Sequence, residues 1–331
     1  MSIGIFGPSG AVGKELLRLF EKASLDQVRL FGSLSVGEKI PYRGGFLTVE
    51  RSERAHELDF AILCTESAVS RQLAPSLQKA GTIVIDHSSA FRLEERVPLV
   101  IPEINLAALK KHEGLISSPN CTTTIMLLPL APLHRRFGIR RIIVSTYQAA
   151  SGAGAPAVEE LQEEALAFLQ GRPFERKISP HPYAFNLFTH PSALNQEGYA
   201  EEEVKMVQET RKILADPHIQ VSATCVRVPV LRAHCESLNV ELKNSCSREE
   251  AVALVRGATG VTLLEDWKMN RFPMPVDATG EEKVFCGRIR MDKTQPNTVE
   301  LWVVGDQLLK GAALNSFQIL QILREHAENN P

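Results

Sequence analysis

The chain has no apolar run of the roughly eighteen residues that a membrane-spanning helix needs. It has no charge excess either: 37 Lys and Arg against 39 Asp and Glu leave a net charge of -2. That balance gives no electrostatic footprint for nucleic acid or for an anionic membrane surface. The six cysteines, at 64, 121, 225, 235, 246 and 286, form no CxxC pair and no tight Cys/His ligand spacing. Neither a metal site nor a disulfide framework is therefore expected. No charged segment with a following apolar stretch precedes the first strand-like run, SIGIF, so the expected location is the cytoplasm. Internal repeats, low-complexity tracts and long flexible linkers are absent too. What remains is an ordinary globular composition, 44% hydrophobic and 23% charged over 331 residues. At that length one core seldom suffices and two domains are expected, with small molecules as partners.

Up to about residue 100, short β-rich runs (SIGIF, VRLFG, FAILC, TIVID) alternate with helical stretches such as AVGKELLRLFEKA, whose apolar residues recur every three or four positions. This is βαβ grammar, which implies an α/β domain with a parallel, Rossmann-like sheet. From about 121 the strands lengthen (RRIIVSTYQAA, HIQVSATCVRVPVL, CESLNVELK, TVELWVVGD) and are expected to pair mostly antiparallel, interrupted by helices over 155–170 and 200–214. The expected division is a dinucleotide-binding domain over 1–120, completed by a C-terminal helix over 311–331, and an α+β catalytic and dimerisation domain over 121–310.

The first strand runs into GPSGAVGKELL, a turn with Gly7, Gly10 and Gly13 opening an amphipathic helix. Glycines let such a turn approach a pyrophosphate, which then sits at the positive helix end. A bare strand-to-helix connection is the plainer reading, and the position at the first βα junction favours a nicotinamide dinucleotide. An NAD site usually places an acid at the end of the second strand. Here that strand ends VRLFGSLSVGEK with no acid at the turn, while Ser33, Ser35, Lys39 and Arg43 tilt the reading to NADP.

Cys121 lies in SSPNCTTTIMLLPLAPL, where a strand-like run meets a predicted helix. A helix N-terminus favours the thiolate, which is the nucleophile; a buried structural thiol is the competing reading. A nicotinamide domain followed by a thiol is the layout for aldehyde oxidation through a thioester. Gln148, at the end of a strand, and Arg227 and His234, seven residues apart across an interruption at Pro229, are candidate companions. Taken singly, each also reads as a structural or solvated side chain.

Taken together and in this order, GxxGAVG, DxSSxFR, VPLVxPEIN, PNCTT, STYQAASGAG, EEVKMVQETRKIL, SATCVRVPVLRAHCES and VVGDQLLKGAALNS resemble the aspartate-β-semialdehyde dehydrogenase family over essentially the whole chain. The resemblance implies reversible reduction of aspartyl-4-phosphate to aspartate-4-semialdehyde and phosphate, in lysine, threonine and methionine biosynthesis. It makes Cys121 the nucleophile, His234 the general acid/base and Gln148 the residue that orients the intermediate. Arg227 would hold the substrate carboxylate and Glu202 its amino group, while Lys205, Arg92 and Asn120 would serve the phosphate. Ser9, Ala11, Val12, Ser151, Gly152 and Gln307 would join Gly7, Gly10, Gly13, Ser33 and Ser35 around the cofactor. A homodimer or homotetramer is implied as well. In isolation Glu202 and Lys205 are an ordinary i, i+3 ion pair.

Four departures from the family pattern stand out. Leu34 occupies the place of an Arg that pairs the 2'-phosphate of NADP, a contact worth about 1.5 to 3 kcal/mol, so NAD use becomes plausible. Glu66 enters a loop that is otherwise small and Gly-containing, and repels a pyrophosphate unless it points to solvent. His87 replaces a small polar residue. Pro129 is expected to kink the helix that begins at Cys121. Two rivals accompany the main reading: a non-catalytic paralogue, and N-acetyl-glutamyl-phosphate reductase.

Overall fold

The computed structural model describes residues 1–329 and divides into two compact units, 1–120 with 312–329, and 121–311. Of the C-terminal helix expected over 311–331, residues 330 and 331 lie outside the described residues.

The first unit is built on seven strands: β1 (Ile3–Phe6), β2 (Val28–Gly32), β3 (Lys39–Tyr42), β4 (Gly45–Arg51), β5 (Phe60–Leu63), β6 (Ile83–Asp86) and β7 (Leu115–Ser117). Their spatial order is β3-β4-β2-β1-β5-β6-β7, parallel throughout except for the β3–β4 hairpin. β1 and β5 are buried along their whole length, as expected of central parallel strands covered on both faces. Helix α1 (Ala11–Lys22) buries Leu16, Leu17, Leu19 and Phe20, and Phe20 meets Phe317 of the C-terminal helix (Leu314–Asn329) at 5.7 Å between ring centroids. Helix α2 (Ser67–Lys79) and the one-turn α3 (Pro102–Asn105) complete the labelled helices of this unit.

The second unit opens with α4 (Cys121–Phe137) and carries a second seven-stranded sheet. Its strands are β8 (Ile139–Gln148), β9 (Phe188–Thr189), β10 (Gln220–Arg227), β11 (His234–Leu242), β12 (Val261–Leu263), β13 (Val284–Met291) and β14 (Thr298–Gly305), in the order β12-β13-β14-β11-β8-β10-β9. The sheet is mixed. β8 runs parallel to β10 and β12 to β13, whereas the remaining neighbours are antiparallel. Helices α5 (Ala155–Leu169) and α6 (Glu201–Leu214) interrupt the strands, with α7 (Arg248–Arg256) later in the chain.

α6 has Glu201, Glu202 and Glu203 in its first turn and Arg211 and Lys212 in its last, a charge order that suits the helix dipole. Glu203 also ties the helix to the sheet, accepting from the backbone N–H groups of Ala200 and Cys225. Two carboxylates of α5 fix the long segment that follows it. Glu160 accepts from the N–H groups of Lys177, Ile178 and Ser179, and Glu164 from those of Tyr183 and Ala184.

Candidate active site

In the first unit the turn after β1 is shaped by what glycine leaves out. A Cβ on Gly7, whose φ is +79°, would stand 2.5 Å from the carbonyl oxygen of Cys64, and one on Gly13 would stand 2.4 Å from that of Gly7. Gly10 meets nothing closer than 3.5 Å and serves as the N-cap of α1, with no side chain capping the helix. Ala11 and Val12 begin the helix. A backbone cradle ending at a helix start that no side chain caps fits a dinucleotide pyrophosphate. Ser33 and Leu34 are exposed in the loop beyond β2, and Ser35 packs against Gly32. Arg43 is held by Asp26 and the carbonyl of Ser24. Ser9, inside the turn, donates to Oε2 of Glu38 at 2.6 Å. An acid therefore does reach the turn, from further along the loop than the end of β2.

Glu66 is exposed and is the N-cap residue of α2. His87 bonds through Nε2 to Ser316 Oγ at 2.9 Å. Burial, and then the guanidinium of Arg92, lowers its pKa to about 3. Arg92 is buried and donates to the carbonyl of His87, and Asn120 is buried too.

In the second unit Cys121 is the first residue of α4. Burial pushes the other thiols up, Cys235 to about 12, Cys246 to about 11, and Cys64, Cys225 and Cys286 further still. Such thiols are inert packing residues at neutral pH. The helix continues through both Pro129 and Pro132, with Pro129 buried. Ile125, one turn after Cys121 on the same face, packs against Gly305, whose register partner across the sheet is His234.

Gln148 and Arg227 end adjacent parallel strands as register partners. The chain then doubles back, with Ala150 and Ser151 donating to the carbonyls of Val230 and Leu231, and returns His234 to the same end of the sheet. The interruption at Pro229 thus brings Arg227 and His234 together: a Cβ on Gly152 would lie 2.8 Å from Arg227 Nη1 and 3.0 Å from the His234 ring.

His234 is fully buried and accepts at Nδ1 from the N–H of Ala149 at 3.0 Å. The ring proton of the neutral imidazole therefore sits on Nε2. Burial, then Arg227 and His190, holds its pKa well below the ordinary value. Nε2 of His234 and Nε2 of Gln148 are both buried without a hydrogen-bond partner among the described residues.

Arg227 donates through Nη1 to the carbonyl of Ala149 and through Nη2 to Nε2 of His190 at 3.0 Å. Nδ1 of His190 lies 3.0 Å from Ser192 Oγ, which accepts from the N–H of Glu202. Burial, then Arg227, lowers the His190 pKa to about 4. Lys205 lies 3.0 Å from Glu201 and 3.8 Å from Glu202. One network thus runs from Arg227 to Glu202, through two residues the sequence did not single out. His190 and Ser192 sit in a polar loop, NLFTHPSALNQ, that carries no pattern. Ser151 and Gln307 form a separate pair: Gln307 donates to Ser151 Oγ and accepts from the N–H of Ala233. Among the described residues no group of His, Cys, Asp and Glu is arranged to hold a metal ion, and no helix is long and apolar enough to cross a membrane.

Two family models match the chain: the NAD binding domain of semialdehyde dehydrogenases over residues 2–112 and their dimerisation domain over 130–310. Aspartate-semialdehyde dehydrogenase of Synechocystis is 45% identical over 98% of this chain and 97% of its own length. That of Prochlorococcus marinus is 44% identical over 98% and 96%. Among solved structures, aspartate semialdehyde dehydrogenase II from Vibrio cholerae, in a crystal structure complexed with ASA, matches at a TM-score of 0.94 and 35% identity, covering 98% of each chain.

Proposed function

The chain belongs to the aspartate-semialdehyde dehydrogenase family, and from that premise we propose that it interconverts aspartyl-4-phosphate and aspartate-4-semialdehyde through a thioester on Cys121. The observation that carries the reading is the pair of buried, unpartnered Nε2 atoms on Gln148 and His234, beside Arg227 at one end of the second sheet. Buried donors without partners are rare unless a ligand meets them.

The thiolate of Cys121, at the positive end of α4, attacks the acyl carbon. A C–S bond forms, the bond to the phosphate oxygen breaks, and phosphate leaves. A nicotinamide cofactor, when bound, would supply the hydride that reduces the thioester. His234, neutral with its proton on Nε2, donates that proton to the oxygen that becomes negative and takes it back as the C–S bond breaks, the aldehyde forms and the thiolate departs. Gln148 orients the intermediate. Arg227, braced by His190, takes the substrate carboxylate as a fork, and Glu202 takes the amino group. Lys205 in the second unit, and Arg92 and Asn120 in the first, are proposed for the phosphate on their own chemistry. Gly7, Gly10 and Gly13 with the start of α1 hold the pyrophosphate, and Ser151 and Gln307 remain proposed cofactor contacts. The family pattern implies NADP, with NAD admitted by Leu34.

The chain is read as a cytoplasmic homodimer. The exposed apolar side chains of Phe168, Leu169, Phe185, Leu187 and Leu194 support self-association. The test is phosphate-dependent nicotinamide reduction by the purified chain with aspartate semialdehyde, run with NAD and with NADP. Activity with either is expected; none with both, from folded protein, contradicts the reading.

A further inference from the structure

We infer that Glu38 makes this site select NAD over NADP, by binding the adenosine ribose hydroxyls and repelling a 2'-phosphate. The inference rests on the dinucleotide reading of the glycine turn. Its starting point is the bond from Ser9 Oγ to Glu38 Oε2 at 2.6 Å. Ser9 lies within the turn, between Gly7, which a side chain would drive into Cys64, and Gly10, the cap of α1.

The loop that carries Glu38 is held in place. Gly37 donates to Val49 O, Glu38 N to Ser35 O, and Val49 N to Glu38 O. These bonds pin the loop to β4, the neighbour of β2, so the carboxylate reaches the turn from a braced backbone. In doubly wound folds the adenosine ribose lies between the glycine turn and the end of the second strand, where an acid takes the 2'-hydroxyl and a cation takes a 2'-phosphate. Here the acid stands against the turn itself.

The cationic side of the choice is depleted. Leu34 is fully exposed where a guanidinium would be needed, and Arg43 is committed to Asp26 and Ser24 at the connection between α1 and β2. Lys39, next to Glu38, starts β3, and Arg51 ends β4. A phosphate dianion brought to Ser9 meets a carboxylate at hydrogen-bond range, whereas a ribose diol donates to that same carboxylate.

Calorimetric titration of the full chain with NAD and NADP tests this. ADP-ribose and its 2'-phosphate, titrated alongside, carry the discriminating end without the nicotinamide. NAD is expected to bind at least about tenfold more tightly than NADP, the ADP-ribose pair to repeat the ratio, and E38Q to reduce it by about tenfold. E38K is expected to reverse it, with thermal unfolding unchanged in both variants. NADP binding as tight as NAD or tighter, through Lys39 or Arg51, overturns the inference and leaves the dehydrogenase reading standing. An NAD preference that survives E38Q and E38K removes Glu38 as its cause. Failure of folded protein to bind either nucleotide overturns both the inference and the dinucleotide reading.

Discussion

The backbone N–H of Ala149 donates to Nδ1 of His234 at 3.0 Å, and that bond decides which ring nitrogen carries the proton. With Nδ1 occupied as an acceptor, Nε2 is the donor, buried and unpartnered. In the proposed reaction His234 thus acts as an acid. Its pKa is held well below the ordinary value by burial, Arg227 and His190. The expected pH profile of kcat therefore has no limb near pH 6.5 from this imidazole. His234→Asn should lower kcat by roughly 10² to 10⁴ at every pH. A wild-type limb near 6.5 that disappears in the variant would contradict the assignment.

Gly152 holds the space between Arg227 and His234. A methyl group there meets Arg227 Nη1 at 2.8 Å and the His234 ring at 3.0 Å. Gly152→Ala should therefore raise KM and lower kcat together, with a loss in kcat/KM on the order of 10²-fold from misplacement alone. Melting temperature should barely move. Wild-type kinetics in that variant would show that Arg227 and His234 do not act at one substrate.

His190 is the brace of Arg227, at 3.0 Å from Nη2. His190→Ala is expected to raise KM about tenfold while kcat changes little, since a carboxylate anchor contributes to binding in ground and transition states alike. Arg227→Lys, which loses the planar fork, should cost about ten- to a hundred-fold in kcat/KM. An unchanged KM in both would remove the carboxylate role.

The buried titratable groups give stability a pH dependence of known sign. His87, His190 and His234 have folded pKa values below the ordinary 6.5, so the unfolded chain binds more protons below that pH. Stability is expected to fall as pH drops from 6.5 toward 4, by up to about 1.4 kcal/mol per pH unit for each group. Glu236 works in the opposite sense. It is fully buried, neither carboxylate oxygen has a hydrogen-bond partner among the described residues, and burial raises its pKa well above the ordinary 4.5. Its contribution is complete below about pH 4.5 and is lost as pH rises. Urea denaturation at pH 5.5, 7 and 8.5 should therefore show Glu236→Gln losing less stability than wild type on the alkaline side. Identical slopes would place the carboxyl in a polar environment.

The features legible in the sequence are those that local pattern encodes. The glycines at 7 and 13 announce a turn that tolerates no side chain, and α1 follows with its apolar stripe. Cys121 at a helix start and Gln148 at a strand end are likewise readable from where one kind of run changes into another. Contacts between distant segments are not. Glu38 matters because a loop pinned to β4 brings it to Ser9, and His190 because α5 fixes the segment that leads to it. Neither residue sits in a periodic run or a motif.

Covalent chemistry at Cys121 is tested by pre-steady-state nicotinamide reduction with aspartate semialdehyde in the absence of phosphate. A burst of about one equivalent of reduced cofactor per active site is expected, as the thioester forms and waits for its acceptor. Added phosphate should then release steady turnover, and Cys121→Ala should give neither phase while folding normally. A burst of equal size in that variant would contradict the account.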